Sequence, residues 1–398
     1  MLRHTLALLL ASALYAEGLG ALIDKALSRH HSLKAIEQRL GALDAMEDKS
    51  RHFSNPELSL GVNDIQFDDP SDRTLEPMQF TAVNVKQKFP WFGKRDAAGE
   101  KVRAQKAMLF ASLEAAQVEL AKRIRLRAYT VSELEERLAL LDDYLELAEQ
   151  NIALNTAYTA TQRDRHMGIM SAELIRSKIA VRHEKLSAML AAQKARLSYL
   201  VQSPFESVET AESVTPPPGI AGYLKRLDEN RGYRVKEAGR NVAAADVKVK
   251  ELSKRADPFV MVGYYYREAR PDYLSFTVGA ALPIYGSEQN DAEAARLAEL
   301  SAAEEAADYR LKLKSDIEAA YAALERAYSV YRIITEESLP QAEHMVELSD
   351  AKLRSGSELF AYFDLLERKL ELDEQRIAAK ADYLRARARL KALTGAIR

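Results

Sequence analysis

His166, Met167 and Met170 are the residues whose types best suit bound chemistry, because an imidazole and two thioethers are soft donors for monovalent copper or silver. Their spacing works against it: two of them reach one helical face only loosely, so no metal site is assigned. His30 and His31 are adjacent, which does not place them on one helical face. The chain has no nucleophile elbow, phosphate-binding glycine loop, dinucleotide fingerprint or paired-His zinc motif. Cysteine is absent, which removes disulfides, thiolate ligands, cysteine nucleophiles and an N-terminal lipid-bearing cysteine. The sequence reads as a protein that is not an enzyme and needs no cofactor.

Across the whole chain 57 Lys and Arg stand against 59 Asp and Glu, a net charge of −2, so no strongly cationic surface and no nucleic-acid partner is expected. With only 16 Gly and 12 Pro, and an abundance of Ala, Leu, Glu, Lys and Arg, the composition favours long helices with coiled-coil packing. Residues 1–16 follow the plan of a secretory signal peptide, with basic Arg3, an apolar stretch and small residues around Ala13 and Ala16. A buried first helix is the other reading. No other stretch approaches the length of a transmembrane helix.

Hydrophobic periodicity divides the remainder into two matching halves. The first, 17–203, predicts a helix over 19–53, strands over 56–67 and 78–89, a long helix over 94–165, a break at Gly168 and a helix over 171–202. A Pro-rich linker, 204–219, follows. The second, 220–398, predicts a helix over 220–256, strands over 258–267 and 273–283, a long helix over 287–353, a break at Gly356 and a helix over 358–393. Pro90 and Gly93 at the first strand exit are answered by Pro283 and Gly286 at the second. A helix of some seventy residues is roughly 100 Å long, which two helices of half that length match when stacked end to end. The strands alternate apolar with small or polar residues and are long enough to cross a bilayer when tilted. Open sheet edges cannot face lipid, so several copies would have to close one barrel. The other reading is a soluble pair of β-hairpins capping a helical bundle.

The repeat, the KFPWFGKR and LPIYG strand exits and the glycine-marked breaks resemble the TolC-type outer-membrane efflux proteins, over essentially the whole chain after residue 16. The FPWFGKR form is similar to the branch associated with heavy-metal (cobalt-zinc-cadmium type) tripartite efflux. The resemblance implies a mostly α fold with a small β part, in which a homotrimer shares a 12-stranded transmembrane barrel above a periplasmic coiled-coil tunnel. It also implies a passive exit duct for metal ions or drugs, set in outer-membrane lipid. Its partners would be a periplasmic adaptor (membrane fusion) protein and an inner-membrane pump of RND or ABC type. The exit duct of type I protein secretion shares this architecture. From a different class comes a non-pore periplasmic helical scaffold, which has no need of lipid-compatible strands.

Three groups of residues acquire expected roles from the resemblance. Arg165, His166 and Gly168, with Arg354, Gly356 and Glu358, would form the adaptor-docking tips. Asp364 and Glu367 would narrow the periplasmic aperture, one residue later than the family spacing, and a threefold ring of each would favour cations. A solvated acidic helix face is the bland reading of that pair. Pro90, Trp91 and Gly93, with Pro283, Tyr285 and Gly286, would be the joints where barrel becomes tunnel. There Pro ends strand pairing, the aromatic sits at the membrane boundary and Gly turns the chain, while Lys94 and Arg95 would meet water.

Overall fold

The computed structural model describes residues 17–158, 163–205, 207–210, 212–353 and 359–397. The signal-peptide reading of 1–16 and the tip residues Arg354, Gly356 and Glu358 lie outside them. Along the chain run β1 (Glu17–Gly18), α1 (Leu19–Arg29), α2 (His31–Arg51), β2 (Glu57–Asn63), β3 (Phe80–Lys88), α3 (Lys94–Tyr158) and α4 (Arg163–Val201). After them come β4 (Val208–Glu209), α5 (Ile220–Leu224), α6 (Arg231–Ser253), β5 (Pro258–Tyr266) and β6 (Tyr273–Ala280). The chain ends with α7 (Ser287–Ile333), α8 (Leu339–Leu353) and α9 (Leu359–Leu393). The fold is mostly helical, with one four-stranded antiparallel sheet in the order β2-β3-β5-β6.

The helices differ from the sequence expectation in four places, each with a local cause. The helix expected over 19–53 is interrupted at His30, whose φ of −61° and ψ of 121° are extended. His30 then caps α2, its Nδ1 accepting the Ser32 N–H at 3.3 Å, a part normally played by Asn or Asp. Gly168 does not end a helix: it lies inside α4, which begins at Arg163. A lone glycine costs about 1 kcal/mol in a helix interior, too little to stop one that continues for 39 residues. The expected helix over 220–256 is divided by a 3₁₀ turn at Leu227–Glu229 into α5 and α6. Between α7 and α8, Ile334–Ser338 forms a π-helical turn. Pro340 follows at once, and the widened turn accommodates a ring that would clash with the carbonyl four residues back.

The chain divides into two compact units. One comprises Met1–Lys34, Glu114–Asn230 and Leu311–Arg398. Its core includes Leu141 of α3, Ile175 and Ile179 of α4, and Phe363, Leu366 and Leu370 of α9. Described residues of the expected linker are anchored here at several points. β4 pairs in parallel with β1, and the Tyr383 hydroxyl donates to the Thr215 carbonyl at 2.7 Å. Glu212 receives the buried Tyr129 hydroxyl at 2.7 Å and the Arg387 guanidinium. Burial alone would raise the Glu212 carboxyl, but those two donors outweigh it and hold it below the usual range.

The other unit, Ala35–Leu113 with Arg231–Arg310, contains the sheet and the helices that enter and leave it. No residue of α6 is fully buried. Ion pairs lace these helices instead: Lys101 to Asp246 at 2.7 Å, Lys248 to Glu100 at 2.5 Å and Lys250 to Asp291 at 2.7 Å. Small residues such as Ala97 and Ala292 supply the close approaches.

Candidate functional site

The register of the sheet sorts its side chains onto two faces. Leu58 stands opposite Val85 and Leu60 opposite Val83; Val85 in turn meets Val262, and Val83 meets Tyr264. Val262 and Tyr264 then meet Phe276 and Leu274. Pairing and period two therefore place one aliphatic and aromatic surface across all four strands. It is exposed: Leu60 is 74% accessible, Phe276 72% and Val278 75%.

The opposite face is made of a different stock. Asn84 pairs with Gly263 and Ala82 with Tyr265; Met261 pairs with Thr277 and Phe259 with Gly279. Tyr265 and Tyr273 stack with their centroids 4.7 Å apart. A Cβ at Gly279 would lie 2.5 Å from the Phe259 ring, and one at Gly263 would lie 2.6 Å from Tyr265. Those glycines allow the rings to lie along the sheet. Lys86 sits over the Phe259 ring, 4.6 Å from its centroid.

Each pair of strands exits through a joint. Gly93 (φ 85°) and Gly286 (φ 78°) both take the left-handed conformation. Each carbonyl accepts the first bond of the following helix, from Ala97 N–H at 2.9 Å and Asn290 N–H at 3.1 Å. Trp91, Phe92 and Tyr285 are exposed. Asp257, which the sequence reading did not single out, organises the first joint. It accepts the Trp91 N–H at 2.8 Å and pairs with Lys94 at 2.7 Å. Arg95 lies 3.9 Å over the Phe53 ring and donates to the Arg51 carbonyl at 2.9 Å. The basic pair is thus engaged in the joint, not simply turned to water. The only earlier signal for Asp257 was its place before Pro258 at a strand start.

Asp364 and Glu367 lie on α9, rotated into place by the burial of Phe363, Leu366 and Leu370 between them. Neither carboxylate is bare. Asp364 pairs with Arg368 at 3.0 Å, and Glu367 with Lys178 of α4 at 3.0 Å. Further along α9, Asp373 is buried and receives Lys369 at 2.9 Å and the Tyr144 hydroxyl at 3.3 Å. Burial first, and then the Asp373 charge, push the Tyr144 hydroxyl well above its ordinary value. Lys178 and Tyr144 belong to other helices, so spacing within α9 could not find them. Arg165, His166 and Gly168, expected at the first tip, lie near the start of α4, and Met170 is exposed. Among the described residues no cluster of three or more His, Asp or Glu side chains could hold a metal ion.

Residues 22–161 match the family described as Outer membrane efflux protein. No curated protein matches the chain in sequence. Solved structures align with it almost end to end. CusC shares 13% identity over 96% of this chain and 92% of its own, with a TM-score of 0.78. The outer membrane protein VceC of Vibrio cholerae shares 14% over 95% and 96%, with a TM-score of 0.76. The MtrE outer membrane channel of Neisseria gonorrhoeae shares 16% over 95% and 88%, with a TM-score of 0.77. The fold is that of an outer-membrane channel. In fold the chain is similar to these channels over almost its whole length, and in sequence it is similar to the outer membrane efflux family over residues 22–161.

Proposed function

We propose that three copies of this chain close a 12-stranded barrel in the outer membrane and continue as a helical tunnel. The observation that carries this reading is the four-stranded sheet, with one continuous exposed apolar face, a glycine- and tyrosine-rich reverse, and β2 and β6 as its outer strands. The apolar face suits lipid and the reverse suits a wet lumen, while the outer strands require neighbours before they can sit in hydrocarbon. An internal repeat accounts for the paired joints at Gly93 and Gly286. The duct is passive and performs no chemistry; a periplasmic adaptor and an inner-membrane pump would supply capture and energy. The FPWFGKR exit, similar to the heavy-metal branch, favours metal ions as cargo over drugs. Arg165, His166, Gly168, Arg354, Gly356 and Glu358 are proposed as the adaptor-facing tips.

Asp364 and Glu367 are proposed as the aperture. With Glu367 bound to Lys178, the gate holds α9 against α4 as well as presenting negative charge. Sucrose-gradient fractionation and planar-bilayer recording test the whole reading. Outer-membrane material with single-channel steps is expected, and a soluble periplasmic protein without a pore would refute it.

A further inference from the structure

Two stretches of this chain share an unusual spelling, RIRLR at 123–127 on α3 and RARAR at 385–389 on α9. Arginines at every second position alternate between opposite flanks of a helix, while those four apart share one flank. The fold uses both flanks. The middle arginines are consumed internally: Arg387 by Glu212, and Arg125 by the Ile397 carbonyl. The outer four, Arg123 and Arg127 with Arg385 and Arg389, line one cavity of about 600 Å³, and α4 adds Arg196 and Tyr199 to its wall.

Five guanidinium groups in one cavity are a marked concentration of charge in a chain whose net charge is −2. They are also under-compensated. Arg385 pairs with Glu133 at 2.6 Å and Asp382 at 2.8 Å, and Arg127 donates to the neutral Gln193 amide at 2.7 Å. Among the described residues, no carboxylate pairs with Arg123, Arg196 or Arg389. A second observation comes from His30, which sits edge-on to Tyr199 at 6.4 Å. It is 8% exposed, and its Nε2 is buried without a partner. Burial, then the charge of the cavity-lining Arg123, hold this neighbouring imidazole below its ordinary pKa.

We infer that this cavity is a binding site for a small multiply charged oxyanion, of the diphosphate class. Planar guanidinium forks match phosphate oxygens two at a time, and three such forks have no competing carboxylate. Tyr199, Leu126 and Leu200 give the same cavity an apolar wall, so the ligand can carry an organic portion beside its charges. With the helices in the periplasm, as the proposed function has it, a diffusible anion is favoured over a lipid headgroup. Only the source of the anion rests on the proposed function, since the site itself uses neither the sheet nor the aperture.

Calorimetry of the full chain in detergent, titrated with inorganic pyrophosphate, tests the assignment. A dissociation constant below about 1 mM is expected, weakening as salt rises. Arg123→Gln with Arg389→Gln should weaken it about tenfold or more, because two charge-assisted contacts go while the Arg385 and Arg387 pairs stay. Arg196→Gln, which adds no change to α3 or α9, should weaken it alone, and circular dichroism should show all variants folded. Absence of binding up to about 10 mM pyrophosphate overturns the assignment, as does equal binding by the folded variants. So does loss of oligomer in the variants without pyrophosphate binding, which would mean a neighbouring copy fills the cavity.

Discussion

Phe276 and Thr277 are consecutive in β6, at the same depth, and on opposite faces of the sheet. Substituting arginine at each therefore separates the two faces with the backbone position held nearly constant. Phe276 is the fourth of the eight residues of β6 and pairs across to Val262, placing it near mid-height of the apolar face. An arginine near the bilayer midplane of a barrel costs ~2–4 kcal/mol, and removing a phenylalanine from apolar surroundings costs a further ~1.5–3 kcal/mol. Phe276→Arg should thus cost about 3.5–7 kcal/mol per copy and on the order of 10–20 kcal/mol over three equivalent copies. Thr277→Arg, opposite Met261 on the reverse face, should cost about 1 kcal/mol or less per copy. The assay is the yield of each variant in the outer-membrane fraction, followed by the temperature at which the purified oligomer dissociates in detergent. Phe276→Arg should be missing from the membrane or dissociate far earlier, and Thr277→Arg should behave like the parent. Equal effects at the two positions, or tolerance of Phe276→Arg, would refute the assignment of the apolar face to lipid.

Alanine at Gly93 or Gly286 should cost about 1–2 kcal/mol each, because both hold left-handed backbone. At Gly93 a Cβ would meet only the Leu252 Cδ1 at 3.8 Å, so the cost there is conformational and reads directly as a lower melting temperature. Asp364→Ala with Glu367→Ala should raise cation conductance through the closed channel, and Lys178→Ala alone should move it the same way. A partly exposed pair is worth ~0.2–1 kcal/mol, so the opening equilibrium should change up to about fivefold; unchanged conductance sinks the gate. Glu212 is held below its ordinary value of 4.5, so its stabilisation is complete above that pH and is lost as pH falls through the lower folded value. Melting temperature followed from pH 6 to pH 3 should fall less steeply in Glu212→Gln than in the parent, and parallel curves would contradict this.

What the sequence reveals of this fold is whatever obeys a period. Leu58, Leu60 and Val62 alternate, as do Leu274, Phe276 and Val278, and side-chain direction in a strand follows from alternation alone. Paired glycines after paired prolines could likewise be read, because few other residues tolerate positive φ. The break at His30 was not legible: an imidazole seldom caps a helix, and neither Gly nor Pro marks the spot. Gly168 misled in the opposite direction, since the cost of one glycine is smaller than what a long helix recovers. At the candidate site, the carboxylates Asp364 and Glu367 are visible in sequence, yet their state is set by Arg368 and Lys178. Arg368 lies one turn away, but Lys178 is 189 positions distant and meets Glu367 only through tertiary packing. Asp257 is hidden in the same way, because its value lies in the Trp91 amide and Lys94 it reaches across the joint.

The outer strands β2 and β6 bear on how this protein is made as well as on how it works. Each presents a row of backbone amides and carbonyls that hydrocarbon cannot satisfy, so a lone copy has no stable resting place in the bilayer. In the proposed three-copy barrel, arrival in the membrane and union with the other copies then become a single step, and its rate should climb steeply with the supply of secreted chains. Below some threshold of synthesis the copies would wait in the periplasm with exposed strands that invite misassembly. Modest underexpression should accordingly deplete finished channels far more than it depletes the chain itself.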